Sequence, residues 1–370
     1  GLFPASMERL VTIAAIDALG SETGFTTEVV RARSAEIDEG VLDGDIWLIG
    51  GGDPVLATAD YTARFGDDRV FTDLAELAAD VARALGEQGI TRIQGRVIGD
   101  ESRYAPIERD YVGGAWTSAD NADSTVGPLS GLLVNDGYRW SASSGSVSRT
   151  SDPAAEAAAV FDDLLTALGI EITNAPRSGE QPASVDQLPL ASIDSPPLVE
   201  IAARALVDGT TAEMLFKEVG LRSGTGTSQS DAAFGAFLAL GGVELPVEIG
   251  TTFPADGSGL SAQNQLTCDL LVSILEHDAA SSMVVSVLPD IADGPLAECA
   301  PPGRGNLSVY SAAEGTTTAL AGRLGAVNGD AIAFALIVNA GPIFGPDTAF
   351  TTCNSLQQAL LEAVAGHPYG

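Results

Sequence analysis

The opening of the chain, FPASMERLVTIAAIDALG at residues 3–20, predicts a helix from Ser6 to Leu19 that is apolar on nearly every face. A helix without a polar face has to be covered on all sides, so the fold must place it inside a large core. Gly20 ends the helix. A helix N-terminus has unpaired N–H groups and a positive dipole end, so Ser6 is either a candidate nucleophile or the N-cap residue.

The charge of the chain excludes several classes of partner. The 370 residues include 50 acidic and 18 basic side chains, a formal net charge of −32. Such a surface repels nucleic-acid phosphates and anionic lipid headgroups, so we expect no nucleic-acid or membrane-surface partner. No apolar run approaches the roughly 18 residues of a transmembrane helix, and the length favours two or three domains. The chain begins at Gly1 without a charged-then-apolar leader, which predicts a trimmed or processed chain.

The cysteines and histidines do not form a recognisable site. Cys268, Cys299 and Cys353 are odd in number and widely spaced, so they fit no metal motif, and we expect no metal and no cofactor. One disulfide with a free thiol, or three unpaired buried cysteines, are both compatible with the spacing. A Ser-His-Asp triad would need His277 or His367, and neither lies in a recognisable strand-loop context.

A β-α-β pattern after the opening helix predicts an inserted α/β domain over residues 36–190. Strands are expected at 44–51 and 92–100, and helices at 73–90 and 153–170. The glycines near the end of the first of these strands do not open a helix, so the pattern predicts no nucleotide-binding loop.

The last part of the chain has the pattern of a larger core. Residues 195–220 predict two helices with a break near Asp208 and Gly209. The further expected elements are a turn-rich loop and a helix capped by Thr267 within 251–275, a strand hairpin at 306–325, a buried strand at 330–340 and a final helix at 355–366.

Six segments, in order along nearly the whole chain, carry a family resemblance. They are PASMERLVTIAAIDALG (4–20), DIWLIGGGDPVL (45–56), VIGDESRY (97–104), GPLSGLLVNDG (127–137), TTAEMLFKEVG (210–220) and FPADGSGLSAQNQLT (253–267). They resemble motifs of the large, insertion-bearing penicillin-binding D-alanyl-D-alanine carboxypeptidases, serine peptidases that trim peptidoglycan stem peptides. In that family, GPLSGLLVNDG corresponds to a strand.

The resemblance implies a penicillin-recognition fold of the α/β (α+β) class, with an antiparallel sheet flanked by helices and a smaller α/β domain inserted after the nucleophile's helix. The main domain would comprise residues 1–35 and 191–370, and the insertion 36–190. The resemblance also implies an extracytoplasmic location and, as partner, a peptidoglycan peptide or an envelope protein.

The first catalytic motif of the family is only half present. The resemblance places the nucleophile on Ser6, which is kept, and the general base on Arg9, where the family has lysine. The family mechanism needs a neutral amine to accept the serine proton. An arginine, whose pKa lies above about 12, cannot supply one.

The other two motifs have lost their chemistry. The Ser-x-Asn motif corresponds to Val207, Asp208 and Gly209, so the proton-relaying hydroxyl and the substrate-holding amide are gone. The Lys-Thr-Gly motif corresponds to Ala313, Glu314 and Gly315, followed by Thr316, and a glutamate there would repel the substrate carboxylate. Gly315 and Thr316 are kept, so the backbone donors of this strand are expected to persist.

The lysine count makes the loss independent of the alignment. An enzyme of this type needs two lysines in its site, and the only lysine of the chain is Lys217; the other 17 basic residues are arginine. The resemblance places Lys217 where family members often have a basic surface residue.

Three functions are compatible with this pattern. The chain is a catalytically inactive homologue that binds a peptidoglycan fragment or a partner protein, an active serine peptidase or esterase with different helpers, or a purely structural domain. The helpers nearest by alignment are Glu8, Asp208 and Glu314. A carboxylate acts as base for a serine only when burial raises its pKa.

Overall fold

The computed structural model describes residues 1–20, 24–66, 69–119, 125–184, 186–277, 281–293, 296–297, 307–314, 317–325, 331–339, 359 and 361–363. The helices bounded within these residues are α1 (Glu8–Ala18), α2 (Ala59–Thr62), α3 (Leu74–Glu87), α4 (Pro153–Ala167), α5 (Leu198–Val207), α6 (Gly209–Arg222), α7 (Gln229–Gly242), α8 (Cys268–Glu276) and α9 (Met283–Val287).

The strands of the first half of the chain are β1 (Thr26–Ala32), β2 (Glu36–Asp38), β3 (Val41–Asp43), β4 (Ile46–Ile49), β5 (Leu56–Ala57), β6 (Thr72–Asp73), β7 (Arg92–Ile93), β8 (Val97–Asp100), β9 (Tyr138–Ser141), β10 (Ser146–Arg149), β11 (Glu171–Ile172) and β12 (Arg177–Ser178). The remaining strands are β13 (Gln187–Asp194), β14 (Leu307–Glu314), β15 (Thr317–Gly325) and β16 (Ala331–Asn339).

Helix α1 is the centre of the larger core, as its all-apolar sequence predicted. Every residue from Glu8 to Ile16 is buried. The helix packs against α5, α6, α7, α8 and α9, so neighbouring helices surround it. A short 3₁₀ turn, Ala5–Met7, leads into it.

A three-stranded antiparallel sheet lies beside these helices. Its order is β14-β15-β16, and the long register from Leu307↔Leu324 to Glu314↔Thr317 shows a regular hairpin. Helix α8 packs on β15 and β16, while β14 contacts the Ala5–Met7 turn. This arrangement confirms the predicted hairpin and brings the end of β14 close to the start of α1.

The first half of the chain forms a second core around a mixed sheet. The sheet order is β12-β8-β4-β1-β13, in which β4, β8 and β12 are parallel and β1 is antiparallel to both neighbours. Helices α3 and α4 pack together and on this sheet. Each begins at an aspartate N-cap, since Asp73 accepts from Ala75 N and Asp152 from Ala155 N.

That residues 36–190 form an inserted domain remains a proposal, and we propose wider limits for this domain. Strands β1 and β13 cross the expected boundaries and pair with each other from Thr26↔Asp194 to Ala32↔Gln187. Because a strand belongs with the sheet that satisfies its backbone, we propose that the insertion runs from about residue 26 to residue 194.

The strand expected at 127–137 is wrong. This segment is irregular and ends in a 3₁₀ turn, Asn135–Gly137, in which Asn135 and Asp136 both have φ of 57°. Asn and Asp tolerate this left-handed backbone because their short side chains bond locally. The final helix expected at 355–366 lies mostly outside the described residues, of which Ala359 and 361–363 are helical.

Candidate functional site

Ser6 lies in the 3₁₀ turn that precedes α1 and is half-buried. The N-cap alternative for this serine is wrong, because neither the turn nor α1 has a side-chain cap. Ala5, just before Ser6, has a φ of 52°. Gly259 packs against this turn so closely that a Cβ added to it would lie 2.6 Å from the Ser6 Cα. Gly259 therefore permits the close approach that positions the serine.

Arg9 is buried and uses its guanidinium to join two chain segments. Its Nε donates to the Ser258 carbonyl at 3.1 Å, and its Nη1 donates to the Leu206 carbonyl at 2.7 Å. The Tyr310 hydroxyl of β14 donates to the same Leu206 carbonyl at 2.8 Å. The residue at the base position thus connects α1, the end of α5 and the 256–261 loop, and has no lone pair with which to accept a proton.

The loop 256–261, sequence DGSGLS, is organised by one buried carboxylate. Asp256 accepts hydrogen bonds from Trp116 Nε1 (2.7 Å), Gly259 N (2.9 Å), Ser261 N (2.6 Å) and Asn264 Nδ2 (2.7 Å). Burial raises the pKa of Asp256, against these hydrogen bonds, which lower it. The aspartate of this motif therefore has a structural task that is independent of catalysis.

Two further buried carboxyl groups lie behind this loop. Glu213 of α6 accepts from Ser258 N at 2.8 Å and Gly257 N at 3.1 Å, and burial together with the Asp256 charge raises its pKa to about 8. Glu8 is fully buried, and both of its oxygens lack a hydrogen-bond partner among the described residues. Burial, followed by the charges of Asp256 and Glu213, raises its pKa well above the usual value, which favours the protonated acid.

Glu8 does not serve Ser6 as a base. Residues two apart on a helix do not face each other, and Glu8 is fully buried while Ser6 is partly open to solvent. Of the three candidate helpers, this one lies on the wrong side of the helix.

The second-motif positions lie at the junction of α5 and α6. Val207 ends α5 and is 75% exposed. Asp208 is the N-cap of α6: its carboxylate accepts from Thr211 N at 2.7 Å and pairs with Arg204 Nη2 at 2.7 Å. The carboxylate of Asp208 is therefore engaged in capping and ion pairing.

Gly209 is closed in by the chain. A Cβ at this position would lie 2.7 Å from the Thr125 carbonyl oxygen and 2.8 Å from Val126 Cγ2. The neighbouring Gly127 N donates to Thr210 Oγ1 at 2.8 Å, which holds this segment on the start of α6. The backbone of residues 125–127 thus fills the space that an asparagine side chain would need.

The third-motif positions end β14. Ala313 pairs with Thr318 and Glu314 with Thr317, next to the strand's contact with the Ala5–Met7 turn. Gly315 and Thr316 lie outside the described residues. The backbone therefore brings the start of α1, the α5–α6 junction and the end of β14 together, as the family resemblance implied.

Lys217 is buried, so the expectation of a surface residue is wrong. Its Nζ donates to the Thr227 carbonyl at 2.9 Å, lies 3.4 Å from Glu108 Oε2 and is 5.2 Å from the centre of the Tyr111 ring. Burial lowers its pKa, against the Glu108 charge, which raises it. Lys217 lies eight residues after Gly209, about 12 Å along α6, so it does not replace the missing base.

An ion-pair network that no sequence pattern predicted lies beside the junction. Asp136 is buried and accepts from Tyr61 Oη at 2.7 Å and Arg69 Nη2 at 2.5 Å, with Arg204 Nη2 at 3.7 Å. Asn-Asp-Gly at 135–137 is a sequence typical of turns, although the family resemblance implied a strand there. No pattern indicated that this turn would meet the arginine next to Asp208.

The described residues contain no group of three or more His, Cys, Asp or Glu side chains that could hold a metal ion. Cys268 is a free thiol, whereas Cys299, Cys353 and His367 lie outside the described residues. Among the described helices, none is long and apolar enough to cross a membrane.

Comparisons with known proteins agree on one family. The model of the D-Ala-D-Ala carboxypeptidase 3 (S13) family matches residues 1–145 and 139–358. A D-alanyl-D-alanine carboxypeptidase of Actinomadura sp. (strain R39) is 29% identical over 326 residues, which cover 74% of this chain and 60% of that relative's length.

Solved structures share the fold. Penicillin-binding protein 4 of Haemophilus influenzae has a TM-score of 0.71 at 20% identity, covering 98% of this chain and 90% of the other. A predatory endopeptidase of Bdellovibrio bacteriovorus, solved in complex with an immunity protein, has a TM-score of 0.55 at 14% identity, covering 98% and 84%. These similarities confirm the predicted penicillin-recognition fold.

Proposed function

Because the chain belongs to the D-Ala-D-Ala carboxypeptidase 3 (S13) family, we propose that it binds peptidoglycan stem peptides in the family's cleft without hydrolysing them. The proposal places the protein outside the cytoplasm, where peptidoglycan lies. An envelope protein that reaches the same cleft is the alternative partner.

The observation that carries the proposal is the hydrogen bonding of Arg9 at the base position. Acyl transfer by Ser6 needs a group that accepts the hydroxyl proton, and the guanidinium of Arg9 has no lone pair to accept it and donates to two backbone carbonyls. The amine of Lys217 is engaged elsewhere. The Asp208 carboxylate is engaged in capping and ion pairing, so it is a poor replacement.

The binding half of the proposal rests on what the cleft retains. Each backbone N–H of the 256–261 loop donates a hydrogen bond, and Gly259 lies close against the Ser6 backbone. This contact fixes the backbone at the nucleophile position, so the proposed cleft has a defined shape in which to receive a peptide.

The test combines acylation with binding. We expect no adduct by intact mass after incubation with a fluorescent penicillin, and we expect co-sedimentation of the protein with isolated peptidoglycan. Ser6→Ala is the matched control, because Ser6 makes no capping bond and its removal leaves the helix start intact. Absence of sedimentation with peptidoglycan would overturn the binding proposal.

An active serine peptidase or esterase is the second candidate, and one observation favours it. The Ser6 side chain is partly open to solvent and caps no helix, so its hydroxyl is free to react. A stoichiometric penicillin adduct that disappears in Ser6→Ala would establish this candidate and refute the inactive one.

A further inference from the structure

We propose that Arg64, Arg69 and Arg204, which surround the ring of Phe65, bind a carboxylate of a short peptide at the rim of the cleft. The inference rests on the proposed function and names the chemistry by which the ligand would be held. None of these residues belongs to the three catalytic motifs.

The three guanidinium groups share one aromatic ring. Measured to the centre of the Phe65 ring, the guanidinium carbon lies at 3.8 Å for Arg69, 5.2 Å for Arg64 and 5.6 Å for Arg204. Arg64 also lies 4.7 Å from the Trp140 ring. A cation over an aromatic face is held by the ring's quadrupole, so the three positive charges converge on one ring.

Two of these arginines have hydrogen-bond donors to spare. Arg69 uses Nη2 on Asp136, and its buried Nη1 has no partner among the described residues, although the side chain is only 5% exposed. Arg204 uses Nη2 on Asp208, and its buried Nε is likewise without a partner there. Buried donors without an acceptor are rare in native proteins.

A third donor lies near the same carboxylates. The Tyr138 hydroxyl is buried and lies beside the Arg149 guanidinium. Asp136 and Asp208 both act on it electrostatically, which places it by the same network. A ligand carboxylate carries about four lone-pair positions, so it is suited to several donors at once.

The cluster has a route to solvent on the side of the cleft. Arg204 and Val207 are three residues apart on α5 and so share a helix face, and Val207 is 75% exposed. Phe65 is itself 49% exposed and covers the Arg69 guanidinium. A small shift of this ring would open the buried donors to a ligand.

The charges select the kind of anion. Arg64 is exposed and has no ion-pair partner among the described residues, so one positive charge is available. The chain as a whole carries −32 and repels polyanions at long range. A small ligand with one or two carboxylates is therefore favoured over nucleic acid or a polyanionic polymer.

The experiment is a ligand-observed NMR titration of the full chain with N-acetyl-D-alanyl-D-alanine, with its C-terminal amide as the second probe. We expect the acid to bind at least about tenfold more tightly than the amide, since charged hydrogen bonds contribute about 1.5–3 kcal/mol. Arg64→Gln should weaken binding of the acid about threefold, and Arg204→Lys, which keeps charge but loses the forked donors, about tenfold.

Arg83→Gln is the matched control, because Arg83 is an exposed arginine of α3 whose partner is Asp80. Circular dichroism reports whether Arg204→Lys stays folded, and Arg64→Gln alters only an exposed side chain. Inorganic phosphate is the third probe; displacement of the dipeptide by equimolar phosphate would mean a general oxyanion site and overturn the peptide assignment.

The outcomes separate this inference from the proposed function. Binding of the acid that Arg64→Gln and Arg204→Lys leave unchanged would overturn the arginine site and leave peptide binding in the cleft standing. Equal affinity for acid and amide would also overturn it. The inference would also be overturned if the acid does not saturate the protein at 10 mM, since a Kd of that size corresponds to only about 3 kcal/mol of binding free energy. Sedimentation with peptidoglycan would then still test the proposed function.

Discussion

The 256–261 loop and the α5–α6 junction lie on either side of Arg9, which donates one hydrogen bond to each. In the loop, the family motif DGSGLS is complete and Asp256 alone accepts four hydrogen bonds. At the junction, both chemical groups of the family motif are missing. Of these two neighbouring segments, one therefore has the residues of the family motif and the other does not.

The difference follows from what each side chain does for the backbone. Asp256 satisfies buried N–H groups, and an unsatisfied buried donor costs about 1–3 kcal/mol, so the fold itself retains this residue. The serine and asparagine of the second motif would hold only substrate and protons. Val207 and Gly209 carry neither of these groups, while Asp208 caps α6.

Asp256→Ala should produce the largest effect. It leaves four donors, including Trp116 Nε1, without an acceptor in the core, so we expect a loss of more than about 4 kcal/mol in the free energy of unfolding, or failure to fold. Urea denaturation measures it. Asp290→Ala, which removes an exposed carboxylate that accepts from Ala292 N, is the control and should change little. An Asp256→Ala variant as stable as the wild type would refute the idea that the fold requires this residue of the loop.

The carboxyl groups behind the loop should make stability fall as pH rises. Folding raises the pKa of Glu213 to about 8 and that of Glu8 well above 4.5, so the folded state holds protons that the unfolded state releases. Their favourable contribution is complete below about pH 4.5 and is lost as pH rises through the raised pKa values. Glu8→Gln mimics the protonated acid at every pH.

Thermal unfolding at pH 5, 7 and 9 tests this dependence. The melting temperature of Glu8→Gln should stay close to that of the wild type at pH 5 and exceed it progressively toward pH 9. Glu36→Gln, at an exposed strand position, should show no such divergence. A constant gap between wild type and Glu8→Gln across the range would mean that Glu8 does not hold a proton in the fold.

Gly209→Asn should destabilise the protein by about 1–3 kcal/mol, the usual cost of overpacking a core. The new Cβ would lie 2.7 Å from the Thr125 carbonyl oxygen, which cannot rotate away as a side chain can. Chemical denaturation against Gly86→Asn, a helical glycine with open space around its Cβ, isolates the clash. Equal stability of the two variants would show that the 125–127 segment yields easily.

Val207→Ser should have the smallest effect, within about 0.5 kcal/mol, because the side chain is 75% exposed. It should also produce no penicillin adduct, since Arg9 still occupies the base position. Differential scanning calorimetry and intact mass check both parts. An adduct in this variant alone would mean that the hydroxyl at 207 was the one missing element.

The sequence predicted the elements with local signals. The all-apolar helix at Ser6, the aspartate-capped helices α3 and α4, the break at Asp208 and the Thr267 cap could all be found because pattern and capping chemistry lie within a few residues. The strand predicted at 127–137 is absent: residues 127–134 are irregular, and Asn135 and Asp136 have a left-handed backbone in the turn that follows.

The sequence predicted which residues lie at the candidate site, but not which partners their side chains contact. The motif order placed Ser6, Arg9 and Val207–Gly209 near one another, as the structure does. The two carbonyl partners of Arg9 and the closure of Gly209 by Thr125 depend on residues more than 80 positions apart, and the burial of Lys217 depends on packing that no local pattern carries.

The packing at Gly209 restricts the mutational routes open to this protein. A side chain at position 209 and the present path of residues 125–126 exclude each other, so an asparagine there is acceptable only after, or together with, a change that moves this segment. We expect the asparagine alone, or the shifted segment alone, to lower the stability of the fold, and the two together to be tolerated. An asparagine at position 209 is therefore expected to depend epistatically on residues 125–126, so that introducing it alone gives a less stable protein.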